Sequence, residues 1–197
     1  MISKNKIAGI DEVGRGCLAG PVFAAAVILN PNIDKKLLID SKKISFKRRL
    51  ILSKYIKKNS IYAVGMANVK EINKLNILNA SLLAMQRAIN KLGIKPSLVL
   101  IDGLFAPKKI KVKYKTIVKG DMKIPCISAA SIVAKVSRDQ FMTNISKKYP
   151  MYSWAKNFGY GTKKHLNALK KFGITKFHRK KFRPIHNILS QKLYKPL

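Results

Sequence analysis

Two short apolar runs lie close together near the start of the chain, Ile7 to Ile10 and Val22 to Leu29 (VFAAAVIL), with only Gly- and Pro-containing sequence between them. Runs this short and this apolar, bounded by turn formers, are buried strands joined by a tight connection. Later segments extend the pattern. Ser45 caps a helix in FKRRLILSKYIKK, Ile61 to Ala67 (IYAVGMA) is a third strand, and Asn68-Val69-Lys70-Glu71 has the form of a capping box. That box opens a helical region running through ILNASLLAMQRAINKL to Gly93, and Pro96 blocks any continuation. Ser97 to Ile101 (SLVLI) is a strand ending at Asp102-Gly103, and Lys113 to Val118 another, ending at Lys119-Gly120-Asp121. From Ser128, SAASIVAKVSRDQFM places small and apolar residues at helical spacing, suited to close packing on a sheet. Thr162 caps KKHLNALKKF, which Gly173 terminates, and the remainder, KFHRKKFRPIHNILSQKLYKPL, is basic and helical in part.

Hairpin-like strands first and helical crossovers later predict an α/β fold with a mixed β-sheet, in which sites collect at strand ends. With 197 residues, 47% of them hydrophobic, one well-buried core is expected, so residues 1–197 read as one domain with a small C-terminal appendage. There is no internal repeat and no low-complexity tract. Cys17, Cys126 and the three histidines form no CxxC or HxxxH pattern, which argues against a zinc or disulfide framework and for a reduced, cytoplasmic protein. The N-terminus MISKNKIAGIDE has no signal-type apolar stretch, and the longest nearly apolar run, Leu18 to Leu29, is too short to span a bilayer. No membrane role is expected, and a monomer is.

Charge is the other constraint. Lys+Arg 41 against Asp+Glu 8 gives a formal +33, a field that draws polyanions and makes nucleic acid the expected partner. Because 34 of the 41 basic residues are Lys, in a chain also rich in Ile and Asn, compositional drift would produce much of the same excess, so charge permits nucleic-acid binding and does not prove it.

The acids are more telling. Asp34 lies in the turn sequence NPNID, Glu71 closes the capping box, Asp139 can pair with Lys135 or Arg138 on a helix surface, and Asp40 in IDSKK is left open as a turn residue. Asp11, Glu12, Asp102 and Asp121 remain, each at or just beyond the end of an expected strand. If those strands are neighbours, the carboxylates converge, repel, and call for a cation. Hard oxygen donors favour Mg²⁺ or Mn²⁺, and a pair of ions about 3.5–4 Å apart suits in-line phosphodiester hydrolysis. Adjacent strand residues face opposite ways, so Asp11 and Glu12 share a site only where the strand ends or bends, and Val13-Gly14-Arg15-Gly16 supplies the bend. Two glycines around a guanidinium also allow backbone N–H groups and Arg15 to approach a phosphate or sugar.

Taken in order, AGIDEVGRGCLAGPV, DSKKIS, LVLIDG, KGD, ISAASIVAKVSRD, GYGTKKH and HRKKFRP make the sequence resemble ribonuclease HII, the type 2 ribonuclease H, through nearly the whole chain. The resemblance implies a ribonuclease H-like mixed sheet flanked by helices, with a C-terminal helical extension, here a basic substrate-binding segment over about 150–197. It implies an endonuclease acting on the RNA strand of RNA–DNA hybrids and on DNA containing embedded ribonucleotides, leaving 3′-hydroxyl and 5′-phosphate ends. By matched position, Asp11, Glu12, Asp102 and Asp121 would be the catalytic, metal-binding acids, holding Mn²⁺ or Mg²⁺ in a two-metal site. Gly14, Arg15 and Gly16 match the segment that reads the ribonucleotide at the junction, Tyr160 the aromatic that packs on the adjacent deoxyribose, and Lys42 a phosphate contact. The 2′-hydroxyl, which both donates and accepts hydrogen bonds, is what such a reader must recognise.

The chain departs from the family pattern at Phe158, where a basic residue is usual, at Lys181 in place of Ser, and at Asn73 in place of Asp. The related ribonuclease HIII branch differs at the position of Arg15 and carries an extra N-terminal domain. Two rivals stay open on sequence grounds. A non-catalytic basic nucleic-acid-binding protein explains the charge but not the four strand-end acids. Another nuclease of the ribonuclease H fold, such as a junction resolvase, explains the acids but not GRG or Tyr160.

Overall fold

Strand β2 (Val22–Ile28) is apolar and buried at every position, which requires a covering layer on both faces of its sheet. It lies between β1 (Ile7–Val13) and β3 (Ile61–Ala67), antiparallel to each. β1 pairs in parallel with β4 (Leu98–Asp102), which pairs in parallel with β5 (Lys113–Ile117). The order β3-β2-β1-β4-β5 is a meander followed by two crossover-linked strands, the mixed sheet expected from the sequence. These features come from a computed structural model that describes residues 6–34, 36–39 and 45–193.

Alternation along β2 assigns the layers. Val22, Ala24, Ala26 and Ile28 join the core beneath α3 (Val69–Asn90), with Ile72, Ala80, Ala84 and Met85. Ala25 and Val27 face the other way, toward α2 (Phe46–Asn59) through Leu52 and Ile56, and toward α4 (Pro125–Ser146) through Ala129, Ile132 and Val133. Short α1 (Lys36–Ile39) adds Leu38 to that second core. The N-terminus of α4 presses so closely on β1 that a Cβ at Gly9 would stand 2.1 Å from the main-chain carbon of Cys126, so nothing larger than glycine fits there.

Two helices differ from their sequence boundaries. α4 starts at Pro125, ahead of the Ser128 start expected from apolar spacing, because proline is tolerated in a first turn, where its missing N–H would have no partner. α3 opens on the expected capping box, with Asn68 and Glu71 exchanging bonds of 2.9 and 2.8 Å. It is then broken at Asn76, which has φ 69°. The Asn76 side chain accepts from the N–H of Asn79 at 3.0 Å and restarts the helix. Apolar periodicity misses this break because both segments press on the same sheet face. Glu71 also accepts from Arg87 at 2.6 and 2.9 Å, and that guanidinium holds its carboxyl below the usual range. Its structural assignment is borne out.

A third core carries the chain's last part. Tyr152, Trp154 of α5 (Trp154–Asn157), Ala168 and Leu169 of α6 (Lys163–Phe172) and Ile185 of α7 (Arg183–Leu193) pack with Met142 against Leu18 and Ala19. The connection between β1 and β2 is therefore clamped from the C-terminal side. Among the described residues no helix is long and apolar enough to cross a membrane, and Cys17 and Cys126 are free and buried.

Candidate active site

Parallel pairing between β1 and β4 stops at Ile10 and Ile101, while β1 stays bonded to β2 through Asp11, Glu12 and Val13. The sheet opens at this point. Asp11 and Glu12 line the gap from β1, and Asp102 ends β4. Asp11 is 6% exposed and shares a face with Gly9, toward α4, where the Ser131 hydroxyl hydrogen-bonds it. One Asp11 oxygen also accepts from the N–H of Glu12 at 2.7 Å. Asp121 is 5% exposed, in a short 3₁₀ turn at Gly120–Met122. Asp102 Oδ1 ties that turn in, accepting from the N–H of Gly120 at 2.7 Å and of Asp121 at 3.4 Å.

Electrostatics join Asp11, Glu12 and Asp102. Burial, then the charges of Glu12 and Asp102, raise the Asp11 carboxyl well above the ordinary carboxylate range. Burial also raises Glu12, opposed by Arg15, whose guanidinium bonds Glu12 Oε1 at 3.1 Å. Glu12 Oε2 is buried with no hydrogen-bond partner, a costly state for a carboxylate oxygen that a cation would relieve. Among the described residues no three His, Cys, Asp or Glu side chains form a preformed cage. The donors are nevertheless all hard oxygens, on the neighbouring strands β1 and β4 and the turn after β5, with one of them orphaned, so they fit a hard divalent ion.

Gly14, Arg15 and Gly16 follow directly, with Arg15 and Gly16 exposed and Gly14 buried. Tyr160, 41% exposed, approaches from the C-terminal side, its hydroxyl hydrogen-bonded to Cys17, one residue beyond Gly16. Lys42 and Asp40 lie outside the described residues. Phe158 has φ 47° and stacks on Phe46 with centroids 6.4 Å apart, while Lys135 Nζ stands 4.6 Å over its ring. A basic side chain is thus replaced by an aromatic that keeps a cation beside it. Asp139 pairs with Lys135 at 2.7 Å, as sequence allowed, but it is buried instead of lying on a helix surface. Sequence alone assigns Ser131, Arg138 and Arg179 no part in the site. Polarity marks Ser131 and Arg138, which interrupt a segment otherwise built for burial, whereas Arg179 lies among other basic residues and carries no such mark.

Tyr160 is held by a chain of buried imidazoles whose proton positions follow from their partners. The Tyr160 carbonyl can only accept, so His165 Nδ1, 2.9 Å away, carries a hydrogen. His165 Nε2 then accepts, from Trp154 Nε1 at 3.1 Å and from His178 Nε2 at 3.1 Å. His178 Nδ1 in turn accepts from the N–H of Thr175 at 2.8 Å. A proton added there would meet that donor head-on. Burial and the neighbouring His165 push His178 down to about 3. The unfolded chain binds this proton near pH 6.5, so stability is expected to fall as pH drops below about 6.5, by at most about 1.4 kcal/mol per pH unit. Urea midpoints measured from pH 7 to pH 4 should fall more steeply for the native chain than for His178→Asn. Parallel curves would contradict this network.

Comparisons with known proteins place the chain in a family and match its fold. The family described as Ribonuclease HII matches residues 8–185. Ribonuclease HII of Pelagibacter ubique (strain HTCC1062) is 64% identical over 183 residues, covering 93% of this chain and 98% of the relative. Ribonuclease HII of Roseobacter denitrificans is 45% identical over 190 residues, 96% of each chain. In fold, the chain is similar to the ribonuclease H2 from Pyrococcus horikoshii OT3, with TM-score 0.79 at 24% identity, covering 96% of this chain and 99% of that one.

Proposed function

The chain belongs to the ribonuclease HII family, and on that premise we propose that it incises duplex DNA on the 5′ side of single embedded ribonucleotides, leaving 3′-hydroxyl and 5′-phosphate ends. The coarser activity is the family's own: it is an endoribonuclease that depends on a divalent metal and hydrolyses the RNA strand of RNA–DNA hybrids. The observation that carries the finer reading is the contact between Arg15 and Glu12, 3.1 Å, which couples a sugar-reading segment to the acids that perform hydrolysis.

Asp11, Glu12, Asp102 and Asp121 would hold Mn²⁺ or Mg²⁺, which supplies Lewis acidity and an activated water for in-line displacement at phosphorus. The chain's own groups do the rest. Asp102 fixes the Gly120-Asp121 turn through its N–H groups and so sets where the Asp121 carboxylate stands. Ser131 and the N–H of Glu12 orient the Asp11 carboxylate. Arg15, half exposed beside Glu12, would meet the ribonucleotide's sugar or phosphate. Tyr160 offers an aromatic face for the neighbouring deoxyribose, and the basic extension over about 150–197 adds phosphate contacts, as does Lys42. The protein acts in the cytoplasm as a monomer.

Arg15→Ala tests the reader. On a DNA duplex carrying one ribonucleotide, kcat/KM should fall by about 10–100-fold, the worth of one or two hydrogen bonds to a charged group. Native kcat/KM in that variant would move the reader elsewhere.

A further inference from the structure

Sequence reasoning offers Arg138 only as a partner for Asp139 and gives Arg179 no role, yet both are wholly buried. A buried guanidinium ordinarily calls for a carboxylate. Here the hydrogen bonds go to main-chain carbonyls instead. Arg138 donates from Nε to Pro21 at 2.9 Å, from Nη1 to Phe158 at 2.9 Å and from Nη2 to Ala19 at 3.1 Å. Arg179 donates from Nε to Gly20 at 2.9 Å, from Nη1 to Arg15 at 2.8 Å and from Nη2 to Gly14 at 2.6 Å. The two planar forks thus gather carbonyls from both ends of the β1–β2 connection, and one from the residue two before Tyr160.

Direction follows from peptide geometry. In a trans peptide the C=O and the following N–H point opposite ways, and no cis peptide bond occurs among the described residues. Drawing the Gly14 and Arg15 carbonyls inward onto Arg179 turns the N–H groups of Arg15 and Gly16 away from it, and both of those residues are exposed. Gly14 itself, with φ 94°, lies flat on Arg138: a Cβ there would fall 2.1 Å from Nε. The Phe158 carbonyl bond ties the same fork to the segment that carries Tyr160.

We propose that Arg138 and Arg179 are positioning residues for ribonucleotide discrimination, holding the Gly14–Gly16 segment with its amides and the Arg15 side chain turned toward the sugar and fixing its spacing from Tyr160. The inference rests on the reading of Gly14–Gly16 as the ribonucleotide reader. Arginine is required, because lysine keeps the charge but has a single ammonium that cannot span three separated carbonyls.

The test measures the affinities of Arg179→Lys and Arg138→Lys, each in an Asp11→Asn background that prevents cleavage, for a duplex with one ribonucleotide and for the same duplex in all-DNA form. The ratio of the two affinities should fall by about tenfold, the size of a lost hydrogen bond at the sugar. A purely structural role would not produce this, since partial unfolding scales both affinities alike and leaves their ratio unchanged; thermal unfolding reports that loss separately. Arg15→Ala in the same background separates the two ideas. A ratio lowered by Arg15→Ala but kept by both lysine variants overturns the positioning role and leaves the reader standing. A ratio untouched by Arg15→Ala overturns the reader, and this inference with it.

Discussion

Asp11→Asn should abolish cleavage, lowering turnover by about 10³-fold or more, at least the cost of removing one preorganised electrostatic group from an active site. Asp11 sits where the β1–β4 pairing ends, buried, oriented by Ser131 and by the N–H of Glu12, and within electrostatic range of both Glu12 and Asp102. Asparagine keeps the size and an oxygen but removes the negative charge that would hold a divalent ion. Duplex affinity should be unchanged or slightly tighter, because one fewer negative charge faces the phosphate backbone. Single-turnover cleavage and a binding titration on the same preparation check both halves. Retained turnover would remove Asp11 from the site, and binding lost together with turnover would point to a structural role.

Gly14→Ala should be strongly damaging to stability. The residue has φ 94°, and the new methyl would lie 2.1 Å from Arg138 Nε and 2.7 Å from Cδ and Cζ. The guanidinium cannot swing aside without giving up bonds to Pro21, Phe158 and Ala19. Overpacking and backbone strain together should cost about 2–4 kcal/mol. Gly16→Ala is the matched control two residues on, since nothing lies within 4 Å of a Cβ there, and its stability should stay within about 0.5 kcal/mol of native. Urea unfolding of the two variants decides the matter, and equal stabilities would contradict the described packing of this loop.

Much of this arrangement is legible in the chain itself. Val22 to Leu29 has to be buried, SLVLI ends at an aspartate, and the strand and helix order leaves little choice but a mixed sheet with its acids at strand ends. Sequence expects Asp11 and Glu12 to share a site only where the strand ends or bends at Val13-Gly14-Arg15-Gly16; both instead lie within β1, at the point where it loses its β4 neighbour. What sequence did not disclose depends on long-range partners. The Asn76 break is invisible to apolar spacing, and Asp139 looked like a surface residue because its neighbours in sequence are basic. Arg179 resembled one more cation in a basic tail. Its significance lies in carbonyls at Gly14, Arg15 and Gly20, more than 150 residues away in the chain, and no local pattern encodes that.

The most direct measurement is cleavage of an end-labelled DNA duplex containing one ribonucleotide, with Mn²⁺, with Mg²⁺ and with EDTA, beside an all-DNA control. The expected result is a cut immediately 5′ of the ribonucleotide with either metal, a 3′-hydroxyl on the upstream product, and none with EDTA or on the control. Binding without a cut in either metal would contradict the assignment of Asp11, Glu12, Asp102 and Asp121, and would return the chain to a basic protein that holds nucleic acid without hydrolysing it.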